Sequence, residues 1–306
     1  AAALLAQLKE YDPILDELRA ASRRPHARFN LNYERENPCD ILLPHLAKLR
    51  TVVRVLNLRA SVQLALGNPQ AALQELTLSL DLANTIRNEP MLISHLVRCA
   101  ILQNTMQPIW EGFADRQWSK AELEALEQRL AKFDFLADDL QAMRGERAWG
   151  NGIITYVRQN PRMLARLGQP DWENDAGGME PLATLIPRGW FFLEQVNYNR
   201  LFEERVLPGI DPNARRVDVE AIKLNADSID ASLRRGSDQF TSHRVLSKML
   251  IPALGRAHQR FVYTQSLIDL ARIACALEQH RLTAGTLPDA LVDLTPRLLD
   301  PLPHDL

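Results

Sequence analysis

Apolar side chains return at intervals of three and four residues along almost the whole chain, and this period restricts the fold more than any other feature. Leu42, Leu46, Leu49, Val53, Leu56, Ala60 and Leu64 trace one such stripe. Phe261, Leu267, Leu270, Ile273 and Leu277 trace another near the C-terminus. Residues so spaced share one face of a helix, and that face needs cover from a neighbouring element. Alternation of apolar and polar residues, the mark of a half-buried strand, occurs only weakly, at Phe29, Leu31 and Tyr33. Glycine agrees: 13 in 306 residues is too few for a turn-rich sandwich or barrel. The expected fold class is all-α, with antiparallel helical hairpins stacked in a curved layer or an irregular bundle.

Prolines, glycines and capping residues divide the stripes. Pro13 bends or divides the first, which runs from Leu4 to Leu18. Residues 23–39 are polar and irregular and read as a loop. A helix over residues 41–66 stops at Gly67-Asn68, and Asn68-Pro69 suits the start of the next, which reaches about Ile86. Another begins after Pro90 and is expected to end at Pro108. Ser119-Lys120-Ala121-Glu122 has the form of a capping box. A helix from Leu136 to Val157 is expected to be interrupted at Gly150-Asn151-Gly152. After it come an aromatic-rich helix from Trp190 to Val206 and a more polar one from Val217 to Leu233. A long helix from Leu254 to His280 follows, with Gly285 as its C-cap, and Pro288 is expected to start a short helical turn. The expected organisation is an N-terminal helical region over 1–167, a loop or linker over 168–187 and a C-terminal helical region over 188–306.

Leu58-Arg59-Ala60, Leu66-Gly67-Asn68-Pro69, Ala71-Ala72-Leu73 and Leu80 together resemble one tetratricopeptide hairpin, over about residues 52–86. Small Ala60 and Ala72 let two antiparallel helices approach closely, and Gly67-Asn68-Pro69 supplies the turn. No second copy follows at the tetratricopeptide period, so the resemblance implies a hairpin and not a regular array. A second stretch, Ala276 through Leu291, is similar to the end of the long helix in type II secretion pseudopilins, in its Arg281-Leu282, Gly285, Pro288 and Leu291. In that family a small sheet and often a calcium site follow. Here a large helical body precedes the motif, and pseudopilin function is not carried over. The same ending resembles uncharacterised, often membrane-anchored bacterial envelope proteins, which favours the periplasmic face of an envelope over the cytoplasm. The opening Ala1-Ala2-Ala3-Leu4-Leu5 reads as a trimmed or a processed start, and a signal peptide or an anchor is the kind of segment that could precede it.

The chemistry that can be read is sparse. With 36 basic and 38 acidic residues the net charge is −2, which provides no bulk attraction to nucleic acid. The pairs Arg23-Arg24, Arg215-Arg216 and Arg234-Arg235 are too short to change that. Cys39, Cys99 and Cys275 fit neither a disulfide framework nor a zinc pattern. The seven histidines, His26, His45, His95, His243, His258, His280 and His304, are scattered and read as surface or satisfied residues. No phosphate-binding loop, dinucleotide fingerprint, nucleophile elbow or His-Glu-x-x-His occurs. No apolar run is long enough to cross a membrane. No catalytic residue, cofactor or metal ligand is therefore assigned.

Two weaker patterns remain. Glu194 and Tyr198 lie four apart on the aromatic helix, near Glu203 and Glu204. A carboxylate buried there would have a raised pKa and could act as a general acid between helices. Asp138 and Asp139 precede Glu146 and Arg147 in a similar setting. Asp171, Glu173 and Asp175 alternate as in a calcium loop, but Ala176 and Leu182 stand where that loop needs its Gly and its last acid. The leading expectation is an interaction protein, a scaffold or accessory subunit that holds a protein or peptide partner, with Trp172, Trp190 and Tyr198 as aromatic anchors. An enzyme with a carboxylate site between helices, or a component of envelope assembly or secretion, is the alternative.

Overall fold

The computed structural model describes residues 1–165, 186–218, 243–251 and 254–304. The backbone over these residues is mostly helical, as the apolar period requires. Helix α1 (Ala2–Leu8) passes through a 3₁₀ turn into α2 (Asp12–Ser22), whose first turn holds Pro13. An irregular segment leads to α3 (Pro44–Ala65) and α4 (Pro69–Asn84). The turn between these two is a Schellman motif: Asn68 N donates to Gln63 O at 2.9 Å and Gly67 N to Leu64 O at 2.8 Å. Gly67 sits at φ +74°, which explains the glycine there. Ala60 and Ala72 are fully buried where α3 meets α4.

Helix α5 (Leu92–Ala114) does not stop at Pro108. Proline forfeits one backbone hydrogen bond, but tertiary packing outweighs that loss here. Trp118 folds back onto the helix, its indole N–H donating to Ile109 O at 3.2 Å. Its ring fills the place a side chain on Gly112 would occupy. The capping box forms at α6 (Lys120–Leu130): Ser119 Oγ accepts from Glu122 N and Glu122 Oε2 from Ser119 N.

Helix α7 (Phe135–Gln159) also runs unbroken, through Gly150-Asn151-Gly152. The helix needs Gly145 and Gly150 as notches. A Cβ on Gly145 would lie 1.8 Å from Pro90 O, and one on Gly150 would lie 2.0 Å from the Tyr198 hydroxyl. Helix α8 (Arg188–Leu201) continues into a π-helical turn at Phe202–Val206. A two-residue antiparallel pair follows, β1 (Ile210–Asp211) with β2 (Arg216–Val217), which the apolar pattern does not signal. Short α9 (Val245–Leu250) precedes α10 (Leu254–Ala284), which ends at Gly285 with φ +79°. Beyond it a 3₁₀ turn forms at Leu291–Leu294, later than the turn expected at Pro288. The helix expected from Val217 falls mostly outside the described residues.

Helix α10 lies against α5, α6 and α7, while α3 packs on α4 and α5, and α8 on α7 and α9. One apolar core therefore draws on both ends of the chain, from Leu15, Leu56 and Leu76 to Phe191, Phe261 and Cys275.

Candidate functional site

Of the three expected anchors, Trp172 lies outside the described residues. Trp190 and Tyr198 both turn inward from α8. Trp190 is 8% exposed and meets Phe191 and His243 edge-on, with ring centroids 5.1 and 5.7 Å away. Tyr198 is 1% exposed; its hydroxyl donates to Glu146 O at 3.3 Å, in the notch left by Gly150. Both rings are core residues. The apolar side chains that α8 shows to solvent are their neighbours Phe192, Leu193 and Val196.

Glu194 is fully buried, and burial raises its carboxyl pKa to about 7. Its two oxygens accept from Val245 N at 2.5 Å and Leu246 N at 3.2 Å, so it caps α9. Glu203 faces solvent and pairs with Arg147. The two carboxylates have different surroundings and do not form a general-acid pair. Asp171, Glu173 and Asp175 lie outside the described residues.

The strongest assembly of ionisable groups is a buried seam between α5, α7 and α10. Arg98 has no exposed surface. Its guanidinium donates to Asp138 Oδ2 at 2.5 Å and to Asn84 Oδ1 at 3.2 Å, and lies 4.9 Å from the Phe135 ring centroid. Next to it on α7, Asp139 receives His258 Nδ1 of α10 at 2.9 Å. Its carboxyl pKa is raised by burial, against the pull of His258. Gln265 donates to Asp269 Oδ1, and its own Oε1 accepts from Phe135 N at 2.8 Å. His95 Nε2 meets Glu89 O at 2.9 Å, and burial lowers the imidazole pKa to about 4.

A carboxylate that orients an imidazole is the geometry of a general base. Here, however, His258 Nε2 is itself buried and has no hydrogen-bond partner among the described residues. The dyad joins α7 to α10 and presents no group to a substrate. Among the described residues no cluster of His, Cys, Asp and Glu has the form of a metal site. No described helix is long and apolar enough to cross a membrane.

A second polar cluster lies at the surface end of this region. His45 opens α3, and Glu89 lies in the link from α4 to α5. His45 Nε2 is 2.8 Å from Glu89 Oε1, and the Phe29 ring stacks on the imidazole at 4.2 Å. Ser94 Oγ donates to Glu89 Oε2 at 2.5 Å. Clefts of about 430 Å³ and 300 Å³ open on either side of Phe29, the first reaching Glu89 and the second His45. Sequence reading missed this cluster. Its one signal was a loop with alternating Phe29, Leu31 and Tyr33, which forms no strand and instead supplies the walls of the clefts.

Comparison of the chain with protein-family models, with curated proteins and with solved structures finds no match in any of the three.

Proposed function

We propose that the chain is a helical interaction protein, a scaffold or accessory subunit that holds a protein partner against α8. The observation that carries this reading is the outer face of that helix, where Phe192, Leu193 and Val196 are 50, 48 and 53% exposed within little more than one turn. Apolar side chains grouped in water gain by being covered. Arg188 and Arg200 are exposed at the two ends of α8, and the Arg158 guanidinium lies 4.6 Å from the Phe192 ring centroid. This pattern suits a partner segment that is apolar at its centre and acidic at its flanks. The α3–α4 hairpin supports the reading, because stacked tetratricopeptide-like hairpins present helical faces to peptides.

A photo-cross-linking residue in place of Leu193, in the full chain within its native source, tests it. The expected result is a discrete adduct with another protein, lost on Val196→Glu and absent when the same group replaces exposed Glu124. No adduct from position 193, or the same adducts from both positions, overturns the reading.

A further inference from the structure

Two glutamines are buried among the described residues, and the fold uses the side chain of only one. Gln265 spends both ends of its amide, on Asp269 and on Phe135 N. Gln279, near the end of α10, is 3% exposed. Thr283 Oγ1 donates to its main-chain oxygen at 2.8 Å, but nothing among the described residues bonds its side-chain amide. Neither polar atom of that amide is sealed in. Both keep access to a cleft of about 600 Å³ between α6, the end of α10 and the turn at Leu291–Leu294. A buried amide without partners is costly, and it calls for a group outside the fold to supply them.

The walls hold further polar groups in reserve. Glu127 Oε1 takes both bonds from Arg272, at 3.1 and 3.0 Å, which leaves Oε2 without a donor among the described residues. Asp293 Oδ2 accepts from Ala290 N at 2.9 Å, which leaves Oδ1. Exposed Lys120, Glu124, Gln128 and Arg297 complete the polar lining, and none has a side-chain partner among the described residues. Charge in the cleft balances: Arg272 neutralises Glu127, and Lys120 and Arg297 offset Glu124 and Asp293. That balance disfavours a phosphate and a polyamine alike. An apolar ligand would strand the polar walls, and apart from the His280 imidazole no ring lines the cleft for a nucleobase to stack on. A hydroxyl both donates and accepts, as these mixed walls require. We propose that this cleft binds a neutral sugar ring, free or at the end of a glycan, with the Gln279 amide donating to one hydroxyl and accepting from its neighbour. The free oxygens of Glu127 and Asp293 and the exposed wall side chains take the remaining hydroxyls. The volume lies within the range of small-molecule sites. The site is separate from the face of α8 and stands or falls independently of a protein partner there.

Saturation-transfer NMR and isothermal titration of the full chain test the proposal. The probes are glucose, galactose, mannose and N-acetylglucosamine, then maltotriose, cellotriose and chitotriose, with inorganic phosphate and spermidine as charged controls. The expected result is saturable binding of one or more sugars and of neither control. Tighter binding of a trisaccharide than of its monosaccharide assigns a glycan end, and equal binding assigns a free sugar. Gln279→Met keeps the length of the side chain and removes the amide. It should weaken binding roughly ten- to hundredfold without lowering the melting temperature of the sugar-free protein. Gln128→Ala, on the exposed wall, should weaken binding by roughly two- to tenfold, and it decides alone if the first variant melts lower or does not fold. Absence of binding across all the sugars overturns the proposal. So does binding that the deciding variant leaves intact, or a control that binds as well as the sugars.

Discussion

Arg98 holds a full positive charge with no surface in water, which is tolerable only because Asp138, Asn84 and two phenyl rings surround it. Removing Asp138 leaves Arg98 buried without its counter-charge, and removing Arg98 leaves buried Asp138 with only Arg87 Nε, 3.5 Å away. Arg98→Met and Asp138→Asn should each destabilise the protein by about 3–5 kcal/mol. The double variant should lose clearly less than the sum of the two. Urea unfolding of the three variants measures this, and additive losses would mean that the pair is not coupled. Glu194 gives a pH-dependent counterpart. Its folded pKa of about 7 lies above the ordinary carboxyl value, so between roughly pH 4.5 and 7 the folded chain keeps a proton that the unfolded chain has released. Stability from this residue is therefore present at low pH and lost as pH rises through that window, by roughly 3 kcal/mol in all. Glu146, also raised to about 7 by burial, acts in the same direction. His95, lowered to about 4, acts in the opposite one, its contribution being lost as pH falls from about 6.5. Relative to the wild type, Glu194→Gln should gain stability steadily from pH 4.5 to 7.5. Urea midpoints across that range check the slope.

At the level of elements, the helices were legible and two expected breaks were not. The apolar period and the caps at Gly67, Ser119 and Gly285 located α3, α4, α6 and the end of α10, because those signals are local. Pro108 and Gly150 misled because propensity describes a helix in isolation. Gly150 offers what a neighbour needs, and that neighbour lies elsewhere in the chain. Gly150 gives room to Tyr198, 48 residues later on α8. Helix propensity alone would make Gly150→Ala stabilising by about 1 kcal/mol. The notch makes it destabilising instead, by about 1–3 kcal/mol, because the tyrosine ring must leave its place. Thermal or urea denaturation distinguishes the two signs. The seam was hidden for the same reason. Arg98 falls on the buried stripe of Ile101, Leu102 and Thr105, which marks it as unusual, but nothing local names Asp138 as its partner. The cleft at Glu89 was less legible still, since His26, Arg28, His45 and Glu89 meet only when the loop over residues 23–43 folds across the α4–α5 link.

For the molecule as a whole, α10 decides the architecture. It reaches α5 through Gln103 and Thr264, α6 through Arg272 and Glu127, and α7 through His258 and Asp139. These partners are separated by 161, 145 and 119 residues. At ribosomal rates of about 5–20 residues per second, the nascent chain spends roughly 10–40 s between completing the start of α5 and releasing the end of α10. Over that interval the flanks of α5, α6 and α7 that α10 covers stay open, and Asp139 waits for His258. The fold therefore makes the later part of its own synthesis, from α5 until α10 emerges, the hazardous part, when a holding chaperone would matter most.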